Sequence, residues 1–369
     1  MTKAWTKREG LIALHQVQGV GWHTIDQLFH GGWDPSLSMK ESREVFNKIS
    51  WRQKKLPEIL AKKWTSSFVQ RVQEELSHRK IQALTIWDRD YPELLRKLPQ
   101  PPWILYLKGN RSLLNGRCLA VVGTRKPTHY GKNITKSLMT EVVAQGWTVV
   151  SGMAAGIDGD AHRSVLNTGG KTIAVLGSGV DVVYPKHHQS LYERLVQEGL
   201  VLSEMAPGTK PHPGLFPQRN RIISGLSHGV LVVEAAERSG SLITADCSLE
   251  QGRDVFAIPG PITSEKSLGT NRLIQQGAKC VLSGSDIVEE FPHFSHDDEQ
   301  GTSEHAVSPL EGLSNEEKVL FQLFADDPLP LEALQWHSNI SLGLLHQLLL
   351  TLQVKGKIKQ LPGGRYIKQ

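Results

Sequence analysis

Cys118-Leu119-Ala120-Val121-Val122-Gly123-Thr124-Arg125-Lys126-Pro127 decides how this 369-residue chain reads. Five apolar residues run without polar alternation, as a strand buried on both faces requires. A glycine follows, where backbone can approach a ligand closely. Then come an arginine and a lysine, ahead of a helix start whose free N–H groups favour anions. Outward from this stretch the same rhythm repeats. Short, β-branched apolar runs occur at 148–150, 172–176, 201–203, 230–233, 255–258 and 279–282, separated by segments long enough for helices. This pattern predicts an α/β fold, a doubly wound parallel sheet.

Two further glycine-bearing loops follow predicted strands: Ser151-Gly152-Met153-Ala154-Ala155-Gly156-Ile157-Asp158, and Gly177-Ser178-Gly179-Val180-Asp181 with Tyr184-Pro185-Lys186. Ligands of open α/β sheets sit beyond the carboxyl ends of the strands, where all three loops fall. Each suits phosphate cradling, and each also reads as an ordinary tight βα turn. No Gly-x-x-x-x-Gly-Lys-Ser/Thr occurs and the first turn lacks a full Gly-x-Gly-x-x-Gly, which disfavours P-loop hydrolysis and dinucleotide chemistry. Phe216-Pro217-Gln218-Arg219-Asn220-Arg221 places an aromatic before two arginines and an amide. That set fits phosphate contact and base stacking, or a plain helix start. Asp158 and His162, at i and i+4, can meet on a helix face as an acid/base pair or serve as cap and packing. His187-His188 lacks a third ligand, and no Gly-x-Ser-x-Gly elbow surrounds Ser239-Gly240-Ser241.

Either side of the centre the composition changes. Leu11, Leu14 and Val17, then Gly19-Val20-Gly21, then Ile25, Leu28 and Phe29 read as helix, tight turn, helix. Residues 1–80 are therefore expected to form an N-terminal helical domain of helix-hairpin-helix (SAM-like) layout, and 81–290 an extended Rossmann-like domain. Residues 291–330 carry one basic and nine acidic groups in a chain of net charge +5. An acidic flexible linker is expected over 291–312. At 313–369, Ser314-Asn315-Glu316-Glu317 starts a helix. Leu345, Leu348, Leu349 and Leu352 form an apolar stripe, and 358–367 reads as a hairpin around Pro362-Gly363-Gly364. This is the outline of a winged helix.

The rest of the chain is basic, which favours phosphate-bearing partners or simply keeps the protein soluble. Cys118, Cys247 and Cys280 are scattered, with no CxxC, so neither a disulfide framework nor a metal site is expected. No apolar run approaches the roughly 18 to 20 residues of a membrane span. The opening charges have no apolar core after them, so a secretory signal is not expected. The cytoplasm is the expected compartment.

Taken in order, these motifs resemble the DprA/Smf family, the DNA-processing protein of bacterial natural transformation. The matching stretches are Val121-Val122-Gly123-Thr124-Arg125, the loop 151–158 with Ala161-His162, Ala174-Val175-Leu176-Gly177-Ser178-Gly179, Tyr184-Pro185 and Leu202-Ser203-Glu204. The series continues through 216–221, Val233-Glu234-Ala235, Ser239-Gly240-Ser241-Leu242-Ile243-Thr244-Ala245, the run 252–260 and Gly269-Thr270-Asn271-Arg272. The resemblance covers about 80–292 strongly.

It implies a domain that binds single-stranded DNA and dimerises. It implies loading of the RecA recombinase onto incoming strands past single-strand-binding protein, with no cofactor and no catalytic turnover. Carried onto this chain, the DNA contacts are Arg125, Lys186, Phe216, Arg219, Asn220 and Arg221, with Gly123 and Gly152 as points of backbone approach. Thr124 stands where the family more often has Ser, and His188 where it tends to have Asn. The alternative is a nucleotide-processing hydrolase of the same Rossmann-like superfamily. Its Pro-Gly-Gly-x-Gly-Thr-x-x-Glu loop is missing from 235–241. A repressor reading bases through the winged helix is disfavoured, because 342–352 holds no arginine or lysine.

Overall fold

A computed structural model describes residues 5–49, 51, 54–292, 314–324, 329–338, 340–355, 357–361 and 365–368. The chain divides into two compact units, Met1–Ser295 and His296–Gln369. Apart from Phe291 and Pro292, the acidic linker lies outside the described residues.

The first unit opens with five helices: α1 (Lys7–His15), α2 (Trp22–His30), α3 (Met39–Lys48), α4 (Leu56–Lys63) and α5 (Ser66–His78). Local sequence sets their starts. In Thr6-x-x-Glu9 and Ser38-x-x-Glu41, each hydroxyl accepts from the third helical N–H, and each glutamate accepts from the cap's own N–H. Gly19, at φ +89°, takes the left-handed turn that separates α1 from α2. Trp33, Phe46 and Trp64 fill the space between the helices, and their apolar core continues without a break onto Ile104, Tyr106, Ala174 and Val201 of the sheet.

The sheet contains β1 (Gln82–Thr85), β2 (Ile104–Gly109), β3 (Cys118–Val122), β4 (Thr148–Ser151), β5 (Thr172–Val175), β6 (Leu200–Ser203), β7 (Gly229–Val232), β8 (Asp254–Ala257) and β9 (Lys279–Cys280). Its order is β1-β2-β6-β5-β4-β3-β7-β8-β9. From β6 to β9 every pairing is parallel, as the apolar runs predict. The antiparallel β1–β2 edge is a departure from the sequence reading. Gln82-Ala83-Leu84-Thr85 is too short and mixed to announce a strand, and pairing with β2 is what makes it one.

Between strands lie α6 (Glu93–Arg96), α7 (His129–Ala144), α8 (Ile157–Asn167), α9 (Gln189–Glu198), α10 (Leu215–Gly225), α11 (Leu242–Glu250) and α12 (Leu268–Gln275), and α13 (Ser285–Val288) follows β9. Leu119 and Val121 of β3 pack with α7 and α8, whereas Ala120 and Val122 face Ile222, Ile223 and Ala245 of α10 and α11. Helices therefore cover both faces. The strand order reverses at β3, with β4 to one side and β7 to the other. Such a switch point opens a crevice at the strands' carboxyl ends.

The second unit contains α14 (Asn315–Gln322), β10 (Leu329–Pro330), α15 (Leu331–Ser338), α16 (Leu342–Val354), β11 (Ile358–Leu361) and β12 (Arg365–Lys368). Strands β11 and β12 pair antiparallel, and Leu345, Leu348, Leu349 and Leu352 are buried in its core. This is a winged helix; the turn Pro362-Gly363-Gly364 lies outside the described residues. No helix among the described residues is long and apolar enough to cross a membrane.

Candidate nucleic-acid interface

The crevice at the switch point holds a cavity of about 60 Å³. Loops after β3, β4 and β5 and the first turn of α10 build it. Arg125, Gly152, Ala154, Gly177, Tyr184, Phe216 and Arg219 are among its lining residues. Four predicted contacts, Arg125, Gly152, Phe216 and Arg219, are thus brought together from two loops and helix α10.

Arg219 forms the floor. It is 7% exposed, and its Nη1 stands 4.0 Å from Asp158 Oδ2, beyond hydrogen-bond reach. Its Nε and Nη1 have no hydrogen-bond partner among the described residues. Burial pushes the Arg219 guanidinium down and the Asp158 carboxyl up, each partly opposed by the other. Asp158 is occupied elsewhere: it accepts from the N–H groups of Gly152 and Ala154 and so pins the loop after β4. A Cβ on Gly152 would lie 1.3 Å from Arg219 Nη1. Glycine here makes room for the arginine, and it also lines the cavity. At Gly123 a Cβ would lie 2.7 Å from Ile157 and 3.0 Å from the Glu234 carbonyl, so that glycine serves the packing of α8 against β3.

The mouth is aromatic. Tyr184 and Phe216 stack at 5.5 Å and 29°, and the Arg125 guanidinium lies 5.7 Å from the Phe216 centroid. Arg125 is itself exposed, as is Lys186, two residues after Tyr184. Tyr184 escaped the sequence reading as a site residue. It stands 32 positions from Phe216, and only the fold places the rings together.

Two predicted contacts point elsewhere. Arg221 donates bidentately from Nη2 to buried Glu204 and from Nη1 to the Gln100 carbonyl at 2.7 Å. Its charge ties α10 to β6 and the segment before β2. Asn220 Nδ2 donates to the Gly240 carbonyl at 3.4 Å, linking α10 to the loop ahead of α11.

Asp158 and His162 do not meet as an acid/base pair. His162 is buried with Nδ1 2.7 Å from Thr172 Oγ1, and burial lowers its pKa to about 3. The Thr172 hydroxyl donates to the Val149 carbonyl, so His162 donates to Thr172. His188 donates from Nδ1 to the Met153 carbonyl at 3.0 Å. Met153 has φ +54°, an uncommon conformation for a non-glycine residue. The hydrogen bond holds that strained turn of the cavity loop, a task an asparagine amide can also perform.

Comparison with known proteins gives a consistent picture. Residues 82–292 match the DNA recombination-mediator protein A family, and residues 304–364 match the DprA winged helix domain. The DNA processing protein DprA of Bacillus subtilis is 46% identical over 213 residues, covering 58% of this chain and 72% of the relative. Protein Smf of Synechocystis is 37% identical over 326 residues, covering 79% of this chain and 81% of the relative. The crystal structure of Streptococcus pneumoniae DNA processing protein A superposes with a TM-score of 0.66 at 37% identity, covering 78% of this chain and 99% of that one. Helicobacter pylori DNA processing protein A, whose structure concerns its single-stranded DNA binding mode, matches with a TM-score of 0.54 at 30% identity. It covers 59% of this chain and 98% of its own.

Proposed function

The chain belongs to the DNA recombination-mediator protein A family, and on that premise we propose that it binds single-stranded DNA across the cavity at the β3 switch point. One observation carries this reading. A buried arginine with unpaired N–H groups lines the same cavity as a stacked aromatic pair and the exposed Arg125, and exposed Lys186 follows Tyr184 by two residues. Unpaired buried donors are costly and call for an acceptor. Phosphate is the acceptor a DNA strand offers, and aromatic faces stack on bases without regard to sequence. A duplex keeps its bases inside, so this combination favours single strands.

The role follows in the same terms. The protein coats and protects incoming single strands during natural transformation. It loads the RecA recombinase onto them past single-strand-binding protein, and it acts as a homodimer in the cytoplasm. Turnover of DNA or nucleotide is not part of the reading. The hydroxyls of Ser151 and Ser178 and the carboxylate of Asp158 are engaged with backbone groups, which supports binding rather than chemistry. Fluorescence anisotropy with a labelled oligothymidylate and a duplex of equal length, at several salt concentrations, tests the proposal. Single-strand preference with a negative salt slope is expected. Equal affinity for duplex, or nucleotide hydrolysis measured in parallel, overturns it.

A further inference from the structure

Next to the cavity the surface carries charge that the fold does not use. From Arg125 to Thr140 the sequence holds four cations, Arg125, Lys126, Lys132 and Lys136, and no carboxylate. All four are exposed. Among the described residues none of the three lysines forms an ion pair. Lys132 and Lys136 lie four residues apart on α7, a spacing at which like charges destabilise a helix. The first carboxylate after them, Glu141, accepts from the Gly284 N–H at 2.7 Å. Packing inside the chain therefore gains nothing from these lysines.

The backbone that carries them is fixed from beneath. The Thr124 N–H donates to the Glu234 carbonyl at 2.7 Å, and the Thr128 N–H and hydroxyl both donate to the buried Glu234 carboxylate. A Cβ on Gly131 would lie 2.2 Å from that carboxylate, so glycine lets the start of α7 close over it. The Lys266 ammonium donates to the Lys126 carbonyl. Tyr130 is 43% exposed, and its hydroxyl donates to the Pro259 carbonyl at 2.9 Å, which holds the ring in place. A surface ordered in advance costs a ligand little to bind. It also adjoins the cavity: Lys126 follows Arg125, whose guanidinium lies 5.7 Å from the Phe216 centroid. Lys136 lies about 10 Å along the helix axis from His129.

We propose that a bound single strand leaves the cavity mouth past Arg125 and continues along the first half of α7, with phosphates on Lys126, Lys132 and Lys136 and a base on Tyr130. The proposal rests on the reading of the cavity as the single-strand site and adds the direction and length of the strand's path. A duplex offers no base face to Tyr130, and continuity with the cavity favours the strand over an acidic protein.

The test compares hexathymidylate with a thymidylate of about 25 nucleotides, longer than the usual single-strand footprint, on the full chain. Wild type is expected to bind the long strand more tightly and with the steeper salt dependence. Replacing Lys126, Lys132 and Lys136 together by alanine should reduce the long strand's slope of log affinity against log salt by about 2. The hexamer should stay within twofold. Tyr130→Leu, which keeps an apolar side chain without a stacking face, should weaken the long strand about fivefold or more and leave the hexamer alone. Phe216→Ala and Arg125→Ala should weaken both lengths. If these two do so while the α7 variants bind the long strand as wild type does, the path is wrong and the single-strand reading stands. If all four variants bind both lengths as wild type does, the reading of the cavity falls, and this proposal with it. Equal losses on both lengths, or the same loss for a duplex of the long strand's length, make the lysines a general positive field and overturn the path.

Discussion

The two sides of α10 use the same residue type in opposite ways. Arg221 faces β6, where Glu204 takes it bidentately and the Gln100 carbonyl takes a further N–H. Arg219, two positions earlier, lines the switch-point cavity; its buried Nε and Nη1 have no hydrogen-bond partner among the described residues, and its carboxylate neighbour is out of reach. One side is closed and holds the scaffold together. The other is left incomplete beside a cavity. Buried polar groups are nearly always satisfied, and at the cavity the proposed strand would supply the missing acceptor. The lesson is that a basic motif cannot be read for function until the acceptors inside the protein have been assigned.

The largest effect that could break this contrast is on stability. Arg221→Ala leaves Glu204 buried without its partner and should cost about 3–5 kcal/mol, the range for breaking a buried ion pair. Arg219→Gln should stay within about 1 kcal/mol of wild type, because Asp158 keeps its backbone donors. Urea unfolding of both variants decides it, and equal losses would erase the distinction between the two sides.

Binding provides the next test. Phe216→Ala should lower single-strand affinity by about 1–3 kcal/mol if the ring stacks on a base. A drop in melting temperature with unchanged affinity of the folded fraction would instead make Phe216 part of the scaffold side. Anisotropy and thermal melts on one preparation separate the outcomes.

Acid should loosen the cavity side. Burial first, then His188 and Arg219, lower His162 to about 3, well below its ordinary value of 6.5. The unfolded chain therefore binds a proton at His162 below about pH 6.5 that the folded chain refuses until about pH 3. Its contribution is fully present above pH 6.5 and is lost as pH falls through that window. In His162→Asn the stability slope between pH 6 and 4 should be shallower than in wild type, by up to about 1.4 kcal/mol per pH unit. Parallel slopes would show that His162 titrates normally in the folded protein.

The smallest effect concerns the rim. Lys186→Ala should reduce the slope of log affinity against log salt by about 0.7, the release expected for one lost contact on a single strand. An unchanged slope would place Lys186 outside the strand's path.

Much of this architecture was legible before any coordinates. Uninterrupted apolar runs declare strands buried on both faces, because burial is a property of each residue's own side chain. Ser/Thr-x-x-Glu declares helix starts, because a cap is made within one turn. Arg125 and Phe216 at predicted strand and helix ends were legible as candidates for the same local reason, and both line the cavity. The edge strand β1 was not, since a four-residue strand exists only through its pairing with β2. Nor were the different fates of Arg219 and Arg221, the pairing of Tyr184 with Phe216, or the structural duties of Gly123 and Gly152. Each depends on atoms brought together from distant loops. Sequence determined which groups could bind a strand; the tertiary structure decided which of them the protein had already used on itself.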